Sequence, residues 1–587
     1  MPTISVSKTD LENLLQTRLQ IQEIESLLPL VKGELKSIEG DELRIELADS
    51  NRPDLLCIEG IARNIRANQK LKSGATSSEL HPAHKVMCGT DLFSNNSEFE
   101  IIVSPDLYPI RPYIGGFIAK GTAINELSLL ALIQAQEKIS ELFGRNRRNI
   151  AIGMYNARKI KFPVFYKAVL PDERKFVPLG FDKEVTLNEI LTLHPKGKEY
   201  AYILENIDKY PFLEDSQGAP LSFPPIINSR LTGEVCVGDD ELFCELTGTD
   251  IEQLLLVVNI FAENLKDRGA KIYPCATKYP YSTPFGDNII TPYDFKLNIK
   301  LNPTELNKLL GTDFSVSKIK LHLEAMGYTL SCQEETPDST KNDKIIVSVP
   351  SYRRDVMHPV DIIEDFAISV GYNYFKPTPL TEFTVGKTTS IQPLISKVRN
   401  IMIGSGFEEV ISNILTSKSI LFSNIGITNE EVVEVQNPVS ESYTVLRNSI
   451  IPILLNIEAK NSQSAYPHHI FEIGEVVVPD ANSPTKFRTE FKVSALICHA
   501  SANFSELHSF MDTLLYYLGI PYKIDKISHP SFITGRVGNI ITECAGNVGI
   551  IGEIHPAVLD NLKIKCPVAT FELPLNFSLD SLQDIAI

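Results

Sequence analysis

The sequence predicts an α+β chain built from several domains. Three observations carry that reading. The length, 587 residues, exceeds the roughly 100–200 residues of a typical domain and implies about three to five of them. Runs that alternate apolar and polar residues are interleaved with runs that repeat apolar residues at helical spacing. Two turn-rich connectors, YPYSTPFGDN at 279–288 and KPTPLTEFTVGKTTS at 376–390, interrupt both kinds of pattern.

The elements follow in order. PTISVS reads as a short strand, and Leu11, Leu14, Leu15 and Leu19 mark an amphipathic helix after it. ELRIELA alternates like a half-buried strand. Asn51-Arg52-Pro53-Asp54 is turn chemistry, with Pro53 suited to the first position of a helix. The polar stretch from Lys72 to His84 reads as a linker, which closes a first domain over 1–80. A second block, 85–283, mixes strands (FEIIVSP, YIGGFIAKG) with a helix over LSLLALIQAQEKISELFG and ends in a helix from about Ile251 to Lys266. A third, 284–378, holds two short helices (PTELNKLLG, SVSKIKLHLEAMG), the strand KIIVSVPS and a helix after Pro359. The last, 391–587, alternates helices with strands such as AYPHHIFEIGEVVV and FKVSALICHA.

Composition narrows the function. A net charge of −17 and a pI near 5.3 argue against gripping nucleic acid by a general basic field, though not against a local basic patch or an RNA-binding partner. The basic run with Arg145, Arg147 and Arg148 is such a patch, or simply a solvated loop. Nine cysteines, an odd count with no C-x-x-C pair, point to free thiols in a reducing compartment. The N-terminus carries no basic-then-apolar leader, and no apolar run reaches the roughly 18 residues of a membrane span. A soluble, cytoplasmic protein is expected.

One segment invites metal chemistry. If a helix starts at Pro359, Asp361, Glu364 and Asp365 fall at i, i+3 and i+4 on one face. The helix dipole offsets part of their mutual repulsion, and a hard cation could offset more. Asp355 upstream could add a fourth oxygen, and Mg²⁺ prefers octahedral oxygen coordination. The alternative is a solvated acidic first turn. His81 with His84, and His468 with His469, lack a convincing third metal ligand in the sequence nearby.

The longer run R-R-D-x-x-H-x-x-D-I-x-E-D-x-A-I-x-x-G-Y-N resembles the β subunit of phenylalanine–tRNA synthetase. In that family the four acidic positions hold Mg²⁺ at the contact with the catalytic α subunit, and they match Asp355, Asp361, Glu364 and Asp365 here. The resemblance covers nearly the whole chain. MPTISV with NRPDLLCIEGIAR is similar to the first domain. HPKGKEYAYIL, LEDSQGAPLSFPPIINS and ELTGTD are similar to the editing domain. HSFMDTLLYYLGI, HPSFITGRVG and VGIIGEIHPAVL are similar to the C-terminal module. The start and the PPIINS…TGTD pair look like the archaeal and eukaryotic cytosolic form. The implied architecture is an N-terminal B1-like domain, a B3/B4 editing domain, a winged-helix-like B5 module and an inactive, class II synthetase-like antiparallel sheet module.

The resemblance also implies chemistry. The chain would join an α subunit in an α₂β₂ enzyme that charges tRNA(Phe), with ATP and phenylalanine bound by the α subunit. Its own site would hydrolyse mischarged tyrosyl-tRNA(Phe), because an apolar pocket rejects a near-isostere only on the order of 100-fold. Leu213, Ser222 and Glu245 match the family's tyrosine pocket, with Glu245 expected to accept the phenol proton. Thr247, Gly248 and Thr249 are expected near the ester, Asn228 to orient backbone or substrate, and His194 to orient water or the tRNA end. The plainer alternatives are a strand-end charge for Glu245, a turn for ELTGTD and a turn-supporting histidine for His194. Phe487-Arg488-Thr489-Glu490 matches the F-R-x-E form of a class II ATP clamp, but no Gly-rich, Arg-bearing motif follows it, so no ATP site is expected in this chain. Two rival readings are a free-standing editing hydrolase and a scaffold with a dead editing site.

Overall fold

A computed structural model describes residues 1–49, 51–72, 97–332, 345–428, 430–543 and 545–575. Most of the expected linker at 72–84, with His81 and His84, lies outside them. The chain divides into two compact units, Met1–Thr378 and Pro379–Ile587.

In the first unit the expected N-terminal, editing and B5 regions share one hydrophobic core that runs from Ile4 to Ile368. The N-terminal part is a three-stranded antiparallel sheet in which Glu42–Leu47 lies between Thr3–Ser7 and Gly33–Glu39. Pro53 opens a 3₁₀ turn, Pro53–Leu56, and the α-helix begins five residues later, at Ile58. Arg52 is locked there by two bonds to Asp54, both side chains buried.

The middle of the unit is a ten-stranded sheet. One end of it runs Lys271–Lys278, Tyr113–Lys120, Glu241–Gly248, Ile150–Asn156, all antiparallel, with the last strand at the edge. The helix Ile251–Asp267 packs on it and is buried almost all round, which explains its nearly unbroken apolar sequence. Its polar positions are used: Asn259 binds the carbonyls of Tyr293 and Ser351, and Asp267 accepts from Arg63 and Arg66 of the helix Ile58–Lys72. The third part has helices Pro303–Leu310, Val316–Ala325 and Pro359–Val370 against a small antiparallel sheet, Asn298–Leu301, Ile345–Ser348, Thr329–Cys332. Pro359 does start its helix, with His358 as the N-cap.

The second unit is a seven-stranded sheet, antiparallel except for the edge strand Glu408–Glu409. The long hairpin His468–Pro479/Phe487–Cys498 forms one half and Phe532–Thr542/Gly546–Ile554 the other. Helices Ile391–Gly404 and Phe504–Leu518 contribute to one apolar cluster, and Ile451–Lys460 and Pro556–Leu562 to another. No helix among the described residues is long and apolar enough to cross a membrane. The cysteines whose side chains are described are free thiols.

Candidate functional site

Four of the eight expected editing residues meet at a cavity of about 250 Å³ in the first unit, and Arg147 joins them. Ser222, Asn228, Glu245, Thr247 and Arg147 line it. A larger cavity of about 370 Å³, between Thr3–Ser7 and the helix Glu126–Lys138, contains none of them. The smaller one is the better site because its polar groups converge.

Strand register makes the space. Glu245 pairs with Gly116 on one neighbouring strand and Gly153 on the other. Residues in register share a face, so the carboxylate has no side chain beside it on either strand. A Cβ at position 153 would stand 2.6 Å from Glu245 Oε1 and closer still to the Tyr155 hydroxyl. Two positions along, Tyr155 stacks on Phe243 and reaches back into the gap. Its hydroxyl lies 2.8 Å from Glu245 Oε1, 2.8 Å from Ser222 Oγ and 3.5 Å from Asn228 Oδ1. One phenol has one proton. The consistent order is Ser222 donating to Tyr155 and Tyr155 donating to Glu245. Sequence reasoning gave Glu245 to a substrate phenol, yet a phenol of the chain itself holds one of its oxygens.

The other oxygen is open. Glu245 Oε2 is buried, and no described residue bonds it. Burial pushes the Glu245 carboxyl up to about 7, against the pull of the Tyr155 bond and the Arg111 charge. Arg111 is itself buried, which brings its guanidinium down to about 10. It donates through Nε to Thr247 Oγ1 at 3.0 Å and also binds the Thr247 and Arg148 carbonyls. Thr247 therefore accepts from Arg111, and its own proton remains available on the cavity wall.

Asn228 is held on the wall, donating to the Met154 carbonyl at 3.2 Å, and the other four expected residues lie off it. Leu213 pairs with Ser222 in register but lies fully in the core, off the cavity wall. Gly248 is where the Asn149 carbonyl comes too close for any Cβ, and Thr249 is exposed. His194 does not face the cavity. Its Nδ1 caps a helix by accepting from Lys196 N, and Nε2 meets the Leu179 carbonyl at 3.0 Å. Both ring nitrogens are engaged, the arrangement of a histidine that supports a turn rather than one that orients water or the tRNA end.

The arginine run is built in rather than merely solvated. The helix Glu126–Lys138 ends in a π turn, and Arg145, Asn146 and Arg147 then all take positive φ. Arg147 stacks over Tyr200 at 4.3 Å and donates to the Pro225 and Ile226 carbonyls at the cavity wall. Arg148 covers Tyr202 at 4.9 Å. Tyr155, Gly153, Arg111 and Arg147 were all missed as site residues. Only the arginine run gave a signal in the sequence.

The acidic segment behaves differently. Asp365 is buried and accepts from Tyr328 at 2.6 Å and from Arg353. Asp355 takes both remaining arms of Arg353. Burial opposes ionisation of Asp355, but Arg353 outweighs it and holds the carboxyl below its ordinary value. Asp361 folds back to accept from Met357 N and His358 N, both at 2.8 Å, as a capping box. Glu364 points outward to Lys32 at 2.8 Å. No three of these carboxylates gather within 4.8 Å of one another. As placed, the set fits one Mg²⁺ through at most two direct ligands, with waters filling the octahedron, a habit of that ion. In the second unit, Arg488 of the F-R-x-E run pairs locally with Glu490 at 2.8 Å.

The domain content defines a class: a component of an aminoacyl-tRNA synthetase. Residues 299–372 match the tRNA synthetase B5 domain, and 376–575 match the phenylalanyl tRNA synthetase β chain CLM domain. The phenylalanine–tRNA ligase β subunit of Borrelia recurrentis is 40% identical over 98% of this chain and 99% of its own length. That of Pyrococcus abyssi is 35% identical over the same shares. The crystal structure of an N-terminal fragment of the phenylalanyl-tRNA synthetase β subunit from Pyrococcus horikoshii superposes with a TM-score of 0.55 at 34% identity, covering 63% of this chain and all of the fragment. The chain belongs to the phenylalanine–tRNA ligase β-subunit family.

Proposed function

We propose that this chain assembles with an α subunit into an α₂β₂ phenylalanine–tRNA ligase and removes tyrosine from mischarged tRNA(Phe) in the Glu245 cavity. The α subunit binds ATP and phenylalanine in this reading. The single observation that carries the editing role is the buried, unpartnered Glu245 Oε2 on the cavity wall. A buried acceptor without a donor is costly, and a substrate phenol supplies the missing proton. Phenylalanine cannot, so it leaves the cost in place. The same asymmetry lets a polar site reject a ligand that lacks the hydroxyl by a large factor.

Tyr155 and Ser222 hold Oε1, which aims Oε2 at the incoming hydroxyl. Thr247 Oγ, with its proton free, is placed to donate to the ester carbonyl or the attacking water. Arg147 stands at the wall, where the positive charge suits an approaching RNA 3′ end. For Mg²⁺, the set of Asp355, Asp361, Glu364 and Asp365 serves a partly hydrated ion at the α contact. Asp361 and Glu364 are its reachable members, and no catalytic step passes through it. The CLM match over 376–575 favours the partnered enzyme over a free-standing hydrolase.

The test is deacylation of tyrosyl-tRNA(Phe) by the assembled enzyme before and after Glu245→Ala. The expected result is loss of tyrosine release with phenylalanylation kept. Unchanged deacylation removes Glu245 from the mechanism, and no deacylation by the unaltered enzyme leaves a subunit with a silent pocket.

A further inference from the structure

We propose that His469, His499 and Glu506, in the second unit, form a site for one divalent transition-metal ion of the Zn²⁺ class, with the fourth position left to water. The three come from different elements: a strand of the long hairpin, the residue after its partner strand, and the first turn of the helix Phe504–Leu518. One donor atom from each lies within 4.8 Å of the other two. His499 Nε2 is 3.1 Å and 3.0 Å from the two Glu506 oxygens. A tetrahedral zinc site with bonds of about 2.0–2.2 Å has donor–donor edges of roughly 3.3 Å, so this pair already spans one edge.

A second observation points to a ligand. His469 Nε2 is buried and has no hydrogen-bond partner among the described residues. The ring is wedged beside Phe407 and Phe510, with His499 beyond, so it is fixed in place. Without a metal, Ser501 N donates to His499 Nδ1 at 3.3 Å, which leaves the ring proton on Nε2 facing Glu506. A metal at Nε2 displaces that proton, and Nδ1–H then turns to Ser501 Oγ, also at 3.3 Å. Glu506 is held by its own N–H donating to the helix cap Asn503 at 3.1 Å. Its charge answers the positive helix terminus that would otherwise disfavour a cation.

Two imidazoles and one carboxylate suit Zn²⁺, Co²⁺ or Ni²⁺ rather than Mg²⁺ or Ca²⁺. Three protein ligands with an open position is also the donor count of zinc sites that keep a water. This site is separate from the acidic segment of the first unit and does not depend on the editing reading.

The experiment strips the full-length chain, in its assembled complex, with a chelator. It then titrates Zn²⁺ alone by calorimetry and Co²⁺ alone by visible absorption. One saturable site per chain with tetrahedral Co²⁺ bands is expected. It should vanish in His469→Ala and His499→Ala and weaken by at least about tenfold in Glu506→Gln. Circular dichroism checks each variant, and the conservative His499→Gln decides if His469→Ala fails to fold. Unchanged stoichiometry in the histidine variants, thiolate charge-transfer bands from the free cysteines, or no saturable binding at micromolar metal overturns the proposal.

Discussion

Glu245 and Asp365 are carboxylates buried to nearly the same degree in one compact unit, 3% and 5% exposed, and their surroundings treat charge in opposite ways. Asp365 shares the guanidinium of Arg353 with Asp355 and takes a tyrosine proton as well. Glu245 also takes a tyrosine proton, but its second oxygen is open, and the nearest cation, Arg111, donates to Thr247 and to backbone carbonyls instead. Four acids in a row look more functional than one, yet most of the four are occupied in holding the fold. A binding role follows from an acceptor left open, not from the number of acids.

Arg353 is where that comparison breaks most visibly. Arg353→Met leaves buried Asp365 without a counter-charge and partly buried Asp355 with only Arg52, 3.9 Å away, and breaking such a cluster costs about 3–5 kcal/mol. Urea unfolding of the variant should show a loss of that size. A change under about 1 kcal/mol would mean that the carboxylates take up protons or reach water readily, and the contrast with Glu245 would collapse.

The two sites should also carry opposite pH dependence. The folded Glu245 carboxyl is raised from 4.5 to about 7. Its folded form binds the proton more tightly than the unfolded chain does. That contribution is fully present below pH about 4.5 and is lost as pH rises through about 7, at most roughly 3 kcal/mol. Asp355 is held below its ordinary 3.8. Its contribution is present above pH about 4 and is lost as pH falls through the lower folded value. Unfolding free energy measured between pH 5 and 8 should therefore decline in the unaltered chain and flatten in Glu245→Gln. A slope that survives this substitution assigns the effect to another group.

On activity, Glu245→Gln replaces an anionic acceptor by a neutral amide. A hydrogen bond to a charged group contributes about 1.5–3 kcal/mol, so tyrosyl-tRNA(Phe) deacylation should fall roughly 10–100-fold in kcat/KM. Charging with phenylalanine should not change. Equal loss for tyrosyl and phenylalanyl esters would move Glu245 from recognising the phenol to a general structural role.

Local pattern carried most of the fold. ELRIELA, SVSKIKLHLEAMG and the long hairpin strands lie where alternation or helical spacing puts them, and Pro359 starts its helix as its fixed φ requires. What local pattern cannot carry is register between distant strands. Nothing near Glu245 in the chain shows that Gly116 and Gly153 flank it or that Tyr155 reaches it. The acidic helix shows the same limit: the spacing of Asp361, Glu364 and Asp365 is as expected, but the Met357 and His358 N–H groups, Lys32, and Arg353 with Tyr328 decide where each carboxylate turns. His194 was ambiguous in sequence because capping and catalysis ask for the same residue, and only its two filled nitrogens separate them.

The finest cut between the two regions is Tyr155→Phe. It leaves the ring stacked on Phe243 and removes only the hydroxyl that ties Glu245 Oε1 to Ser222. A neutral donor of this kind contributes about 0.5–1.5 kcal/mol, so tyrosine release should weaken roughly 2–10-fold, mostly in KM. The Tyr155 bond also lowers the Glu245 pKa. Without it the carboxyl should protonate at higher pH, and the acid limb of the deacylation profile should move upward from about 7. Loss of packing alone would lower activity without moving that limb. The corresponding substitution at the other site, Tyr328→Phe, removes a proton from Asp365 while Arg353 still holds the charge, and it should leave the limb where it is. A shift of equal size from both would mean that Tyr155 acts through the fold as a whole and does not position Glu245.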